Sequence, residues 1–339
     1  MTQPRLRPLH FRNGKTARNR IVIPPMASQT ADADGFATPE TWAHYARLGE
    51  AGAGLIFVEY SYVHPTGKGE PRQLGAHSSA QVPGLTRIAE SLHAAGALAG
   101  LQLVHVGGKT TSALTGHPLM GPSAIPVPVK GRELETPTPM NAQDIQNWSD
   151  WFLEAARRAE AAGFDIVELH AAHGYGLNQW LSPLTNRRDD AYGGGIEGRN
   201  RLLLDLVARL KREVPGLLLA VRLPAQDHLP GGLEPVEMAW VARQLEVLGI
   251  DLLDVSSGLG GWRRPAHREA EGYLVDDAAF LKAHVSIPVI GVGGIESADY
   301  VDHILNEKYV NLAAVGRAIL RDPAAWGRQN LNGVLSCTV

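Results

Sequence analysis

Two imidazoles and a phenol stand within six positions in the stretch His170-Ala171-Ala172-His173-Gly174-Tyr175. A zinc site would want a third ligand and a carboxylate, and none is placed obviously. Two ring N–H donors aimed at one carbonyl oxygen would polarise it, much as an oxyanion hole does. A tyrosine hydroxyl keeps its proton at neutral pH, so Tyr175 qualifies as a general acid beside that pair. The plainer reading of a His-x-x-His is structural. A second signal is Arg222, inside the apolar run Leu217–Leu223. A cation buried there needs a partner: an Asp or Glu of a neighbouring strand, or negative charge that collects on a bound group. The third signal is a pair of glycine sites, Gly293-Gly294 and Gly316-Arg317. Glycines allow close approach of backbone N–H groups and a guanidinium offers a planar fork, so together they predict a phosphate site. Taken singly, the glycines would merely turn the chain.

Eight apolar runs must position these groups: Ile21–Met26, Gly54–Tyr60, Leu98–His105, Phe164–His170, Leu217–Leu223, Ile250–Ser257, Pro288–Gly294 and Asn311–Arg317. Each is rich in Val, Ile and Leu, as expected for parallel strands buried on both faces. Amphipathic stretches such as Trp148–Ala162, Arg199–Val214 and Glu237–Leu248 alternate with them. Regular βα units with no second-domain break predict a single (β/α)8 TIM barrel over residues 1–339, in preference to a doubly wound sheet. Catalytic groups of such a barrel project from the C-terminal ends of its strands, and phosphate is usually held by the last two, where the glycine sites fall. The irregular stretches Gly107–Met140 and Gly258–Leu274 follow the third and sixth strands and should overhang the same face. Gly193–Gly198 matches G-x-G-x-x-G by letter but follows a polar run instead of a strand, so it is no dinucleotide fingerprint. Asn147-Trp148-Ser149 matches a glycosylation sequon, with nothing to route the chain through a secretory compartment.

Composition excludes several classes. Among the 339 residues 44% are apolar and 20% charged, the balance of a soluble protein with a sizeable core. Net charge is −3 and the basic residues are scattered, so no nucleic-acid partner is expected. No apolar run is long enough to span a bilayer, no signal core is visible, and no membrane partner is expected. Cys337 is the only cysteine, which excludes intrachain disulfides, a cysteine-ligated iron–sulfur cluster and an all-cysteine zinc site, and predicts a reducing, cytoplasmic setting.

The block HAAHGYGLNQWLSPLTNRRDDAYGG (His170–Gly194) resembles the signature of the Old Yellow Enzyme family, and most closely its bacterial, thermophilic-type branch. NRIVIPPM (Asn19–Met26), GLQLVHVGGK (Gly100–Lys109), GPSAI (Gly121–Ile125), DLLDVSSG (Asp251–Gly258) and AVGRAILRDP (Ala314–Pro323) extend the resemblance, in order, across nearly the whole chain. It implies an FMN-bound barrel that takes hydride from NADPH or NADH and passes it from flavin N5 to an activated alkene, a small-molecule α,β-unsaturated carbonyl compound. By the same resemblance Pro24, Pro25, Met26, Ala27 and Tyr60 line the flavin ring. Gln102 bonds its pyrimidine edge, Arg222 faces N1, and Gly293, Gly294, Gly316 and Arg317 hold its phosphate. His170 and His173 bind the substrate carbonyl, Gln29 belongs to the substrate site, and Tyr175 protonates the α-carbon. Relatives imply a homo-oligomer, a dimer or a tetramer.

This sequence departs from the branch at Ala27, where Cys is usual, and at Gln29, where Tyr is usual. Tyr60 replaces a small residue, Gly108 an Arg, and Pro224 interrupts a serine-containing stretch. The tail Gly333–Val339 lacks the aromatic and Arg residues with which relatives often complete a neighbour's site. Three other readings stand beside the ene-reductase: a flavin enzyme running toward desaturation, a flavin-binding sensor without turnover, and a flavin-free, phosphate-binding aldolase-type barrel with Lys109 as its Schiff-base lysine. Arg263-Arg264 is read as a solvated pair.

Overall fold

The apolar runs fold into eight parallel strands: β1 (Ile21–Ile23), β2 (Leu55–Tyr62), β3 (Leu98–Val104), β4 (Ile166–His170), β5 (Leu218–Pro224), β6 (Leu252–Ser256), β7 (Val289–Gly291) and β8 (Leu312–Ala314). Each pairs with the next, and β8 returns to β1 with Ala313 opposite Ile21, so the ring closes without an edge. The computed structural model describes residues 3–261 and 269–331. Arg263-Arg264, Cys337 and the tail Gly333–Val339 lie outside the described residues. Among the described residues no helix is long and apolar enough to cross a membrane.

Strand lengths follow local chemistry. The run expected over Ile21–Met26 pairs only as far as Ile23, because Pro24 and Pro25 carry no N–H for the ladder. In β2 the register slips between Val58 and Ser61, a bulge that re-aims the side chains around Tyr60. Helices α1 (Pro39–Gly49), α2 (Val82–Ala94), α3 (Ala142–Ala161), α4 (Gly176–Leu181), α5 (Ile196–Glu213), α6 (Pro235–Val247), α7 (Val275–Lys282), α8 (Ala298–Asn306), α9 (Arg317–Arg321) and α10 (Pro323–Asn330) fill the connections. Helix α3 starts six residues before the apolar period at Trp148 because Asn141 caps it. The Asn141 side chain accepts from the Gln143 and Asp144 N–H groups, and Asp144 accepts from the Asn141 N–H. Asn147 therefore sits on a helix, and Gly195 caps α5 without a strand before it.

Two cores result. One lies between strands and helices, with Trp148, Phe152, Leu206 and Met238 among its members. The other fills the ring itself, where Leu55, Phe57, Ile166, Leu218, Leu252, Ile290 and Leu312 meet. A hairpin pairing Leu9–His10 with Thr16–Ala17 stops the lower end, and its Leu9, Phe11 and Ala17 join that inner core. Lys15 on this hairpin reaches Asp165 Oδ1 at 2.6 Å, while Asp165 Oδ2 accepts from the Ala99 N–H at 2.8 Å and contacts His93 Nε2 at 2.7 Å. The long stretch Gly107–Met140 holds one helical turn, Ser112–Thr115, and a short pairing of Met120–Gly121 with Thr138–Pro139. Its Val127 and Leu134 pack on Leu259 over the C-terminal face, as expected for a covering loop.

Burial alone would raise the Asp165 pKa, but the Lys15 ammonium, the Ala99 N–H and His93 together outweigh it and leave it lowered. A carboxylate lowered on folding stabilises above its unfolded pKa, and the gain disappears as pH falls through the folded one. Asp165→Asn should therefore cost on the order of 1–3 kcal/mol at neutral pH. The deficit, read from urea midpoints, should vanish in strong acid; a constant deficit at every pH would reject the charge-based account.

Candidate active site

A cleft opens at the C-terminal end of the ring. Pro24, Pro25 and Met26 form one wall as β1 runs out. Gly293, Gly294, Gly316 and Arg317 stand at the ends of β7 and β8, and Arg222 and His173 complete the lining from β5 and the turn after β4. These nine expected residues are brought together. Ala27 and Gln29 are exposed and do not line the cleft, Gln29 being held at φ 52°.

The glycine end is shaped for an anion. Gly293 has φ 127° and Gly294 φ 67°, conformations that favour glycine. A Cβ on Gly293 would stand 2.8 Å from the Leu274 nitrogen, and one on Gly316 would stand 3.1 Å from Met26 Sδ. The Arg317 guanidinium lies next to Gly294, 3.4 Å from where a Cβ would be. It makes no ion pair or side-chain hydrogen bond among the described residues. An open backbone cradle beside an uncommitted fork fits a phosphate.

The polar end is built on Arg222, which is 5% exposed. Its Nε lies 3.0 Å from Asp254 Oδ2 on β6, although the N–H is not aimed well enough to form a hydrogen bond. The neighbouring-strand carboxylate is therefore present, and Arg222 also faces the cleft. Gln102 on β3 lies deeper and donates from Nε2 to Glu168 Oε1 at 2.7 Å.

His170, His173 and Tyr175 form one cluster above Arg222. Ring centroids of His170 lie 4.9 Å from His173 and 4.9 Å from Tyr175, both edge-on. The bulge in β2 brings Tyr60 against them: it stacks on Tyr175 at 5.4 Å with 15° between planes. His173 adopts φ 59° and Gly174 φ 73°, a left-handed pair that turns the chain sharply after β4. Its N–H donates to the Ser257 carbonyl at 2.9 Å, and its Nε2 contacts Ser256 Oγ at 2.6 Å. His170 Nδ1 accepts from the Ala172 N–H at 3.3 Å, which leaves the ring proton on Nε2 as a donor. Burial first, then the charges of Arg222 and Lys109, hold both imidazoles well below their usual range, so both are neutral. Burial pushes the Tyr175 phenol up to about 12 against an opposing hydrogen bond from Tyr60.

Lys109 donates to the His173 carbonyl and lies 4.9 Å from the centre of the Tyr175 ring. Burial draws its pKa down to about 8. His105, also near a strand end, turns outward and stacks over Trp151. Sequence reasoning missed Tyr273, Val292, Glu296 and Ala314 in the cleft lining. Val292 and Ala314 were legible from period two, each lying two residues beyond a ring-filling residue, Ile290 or Leu312. Tyr273 enters because its N–H donates to the Gly293 carbonyl at 3.0 Å, a contact between loops without a local sequence signal.

Comparison with known proteins agrees with this geometry. Residues 6–330 match the NADH:flavin oxidoreductase / NADH oxidase family. An NADPH dehydrogenase of Halalkalibacterium halodurans is 38% identical over 318 residues, covering 93% of this chain and 90% of that protein. The Old Yellow Enzyme homologue from Zymomonas mobilis superposes with a TM-score of 0.83 at 27% identity, covering 99% of this chain and 94% of the other. Morphinone reductase in complex with tetrahydroNAD gives 0.83 at 25%, covering 99% and 92%. The glycine cradle, the free Arg317 and the cleft-facing Arg222 suit the phosphate and the electron-rich ring of FMN. The chain belongs to the NADH:flavin oxidoreductase / NADH oxidase family, that of Old Yellow Enzyme, and is an NAD(P)H-dependent FMN oxidoreductase.

Proposed function

We propose that this enzyme reduces the C=C bond of α,β-unsaturated carbonyl compounds. The observation that carries the reading is the convergence of neutral His170, neutral His173 and protonated Tyr175 in one cluster, which meets the cleft at His173. Bound FMN supplies a hydride that it has received from NAD(P)H. Pro24, Pro25 and Met26 would line its ring, joined on the sequence resemblance by Ala27 and Tyr60, with Gln102 and Arg222 at its polar edge and Gly293, Gly294, Gly316 and Arg317 at its phosphate.

The protein's part is polarisation and proton delivery. The Nε2–H of His170 donates to the substrate carbonyl oxygen, with His173 beside it on its Ser256 anchor. Neutral rings suit this task, because they withdraw electron density without surrendering a proton to the oxygen. The Tyr175 hydroxyl gives its proton to the α-carbon as the β-carbon gains hydride, which completes a saturated carbonyl product. Gln29, like Ala27, stands outside the cleft lining, and the sequence resemblance alone assigns it to the substrate site. A homo-oligomeric assembly and a cytoplasmic setting rest on sequence resemblance and cysteine content.

Anaerobic stopped-flow with NADPH and then cyclohexenone tests the reading directly: bleaching must be followed by recovery of flavin colour, and no recovery with any enone would reject it. In the same assay Tyr175→Phe should slow recovery on the order of 10²-fold while bleaching stays nearly unchanged. Equal slowing of both halves would remove Tyr175 from the donor role. Because both histidines are already neutral, recovery should show no inflection across the range where an ordinary imidazole, near 6.5, titrates. A sigmoidal pH profile centred there would contradict it. Arg317→Ala should raise the FMN dissociation constant about tenfold or more through loss of the charge-assisted phosphate contact; unchanged retention on gel filtration would count against that site.

A further inference from the structure

The barrel layer beneath Arg222 contains two carboxylic acids with no part in the chemistry above. Glu168 on β4 and Asp254 on β6 lie two residues before His170 and Ser256, so strand alternation points them into the ring. They come from alternate strands, the relation that places side chains in one layer of a barrel. The β5 residue in register with Glu168 is Ala220, which has little bulk to keep them apart. Glu168 is fully buried and Asp254 is 1% exposed. Below them the ring is apolar, filled by Ile166, Leu218, Leu252 and Ile290.

Donors are scarce in this layer. Gln102 Nε2 serves Glu168 Oε1 at 2.7 Å, and Arg222 Nε lies 3.0 Å from Asp254 Oδ2. The remaining oxygens, Glu168 Oε2 and Asp254 Oδ1, are buried and have no donor, yet the two carboxyl groups are within hydrogen-bonding contact of each other. Two ionised carboxylates here would set acceptor against acceptor and leave excess negative charge in a dry ring, a costly arrangement. A single proton between them removes both penalties, as in other carboxyl pairs whose like charges cannot both ionise.

We propose that Glu168 and Asp254 share one proton at neutral pH, so that the pair sets a single negative charge against Arg222 and thereby tunes the charge that the guanidinium presents to FMN. The last clause rests on Arg222 facing the cofactor; the shared proton does not. Burial, then the nearby Asp254 charge, drives the Glu168 carboxyl well above its usual range, against Arg222 and Gln102. Asp254 is also raised by burial, with Arg222 opposing. Arg222 is the cation that acts on both groups. With one proton the triad is neutral overall; with none it would carry net negative charge just where electrons arrive. Glu168 is thus a positioning residue that acts through Asp254 and Arg222.

Two measurements on the holoenzyme test this. Infrared difference spectra of wild type against Glu168→Gln should show a protonated carboxyl band that moves in D2O and is lost in the variant. The midpoint potential of bound FMN should stay unchanged in Glu168→Gln, because the pair already carries one charge. It should move positive in the double variant Glu168→Gln/Asp254→Asn, which removes the last. Absence of the wild-type band, or a positive shift in Glu168→Gln alone, would overturn the shared proton. Should the double variant not fold, the wild-type band and the single variant still decide. If the band behaves as expected and the double variant leaves the potential unmoved, the proton stands and the placement of Arg222 against FMN falls.

Discussion

A guanidinium held almost out of water inside a closed ring of strands is the fact around which this site is arranged. Desolvating such a charge is expensive, and only close carboxylate and hydrogen-bonding partners make it tolerable. The ion pair between Arg222 and Asp254 on adjacent strands meets that need. The same positive charge then acts upward. After burial itself, it is the largest influence keeping His170 and His173 unprotonated. It therefore helps to decide that the imidazoles are neutral donors and not acids. The mouth of the barrel is chemically specialised because its floor is charged.

The closed ring converts sequence parity into height. Alternate residues of β4 run Ile166, Glu168, His170, and those of β6 run Leu252, Asp254, Ser256: apolar at the bottom, acidic in the middle, polar at the rim. Arg222 continues the series Leu218, Ala220 on β5. A one-residue slip of any of these strands would turn its acid or cation into the apolar layer under the helices, where nothing would pair with it. Register and chemistry are thus enforced together.

Most of this order was visible in the sequence, for identifiable reasons. Val, Ile and Leu runs marked the strands because both faces are buried, and the glycine sites marked the anion end because β7 and β8 are where such barrels hold phosphate. Strand boundaries were less legible at β1, where two prolines stop the ladder early, and in β2, where a bulge that no residue type announces swings Tyr60 onto Tyr175. The partner of Arg222 was anticipated only as some Asp or Glu. Parity could have narrowed it to Glu168 and Asp254, the inward acids of the two flanking strands. Tyr273 was beyond reach, because a loop-to-loop hydrogen bond fixes it.

The hairpin that joins Leu9, Phe11 and Ala17 to the inner core makes the ring a cup and not a tube. The ring above it is already packed with its own side chains, so among the described residues the cleft opens over the C-terminal rim, and any molecule that reaches Arg222 comes and goes on that side.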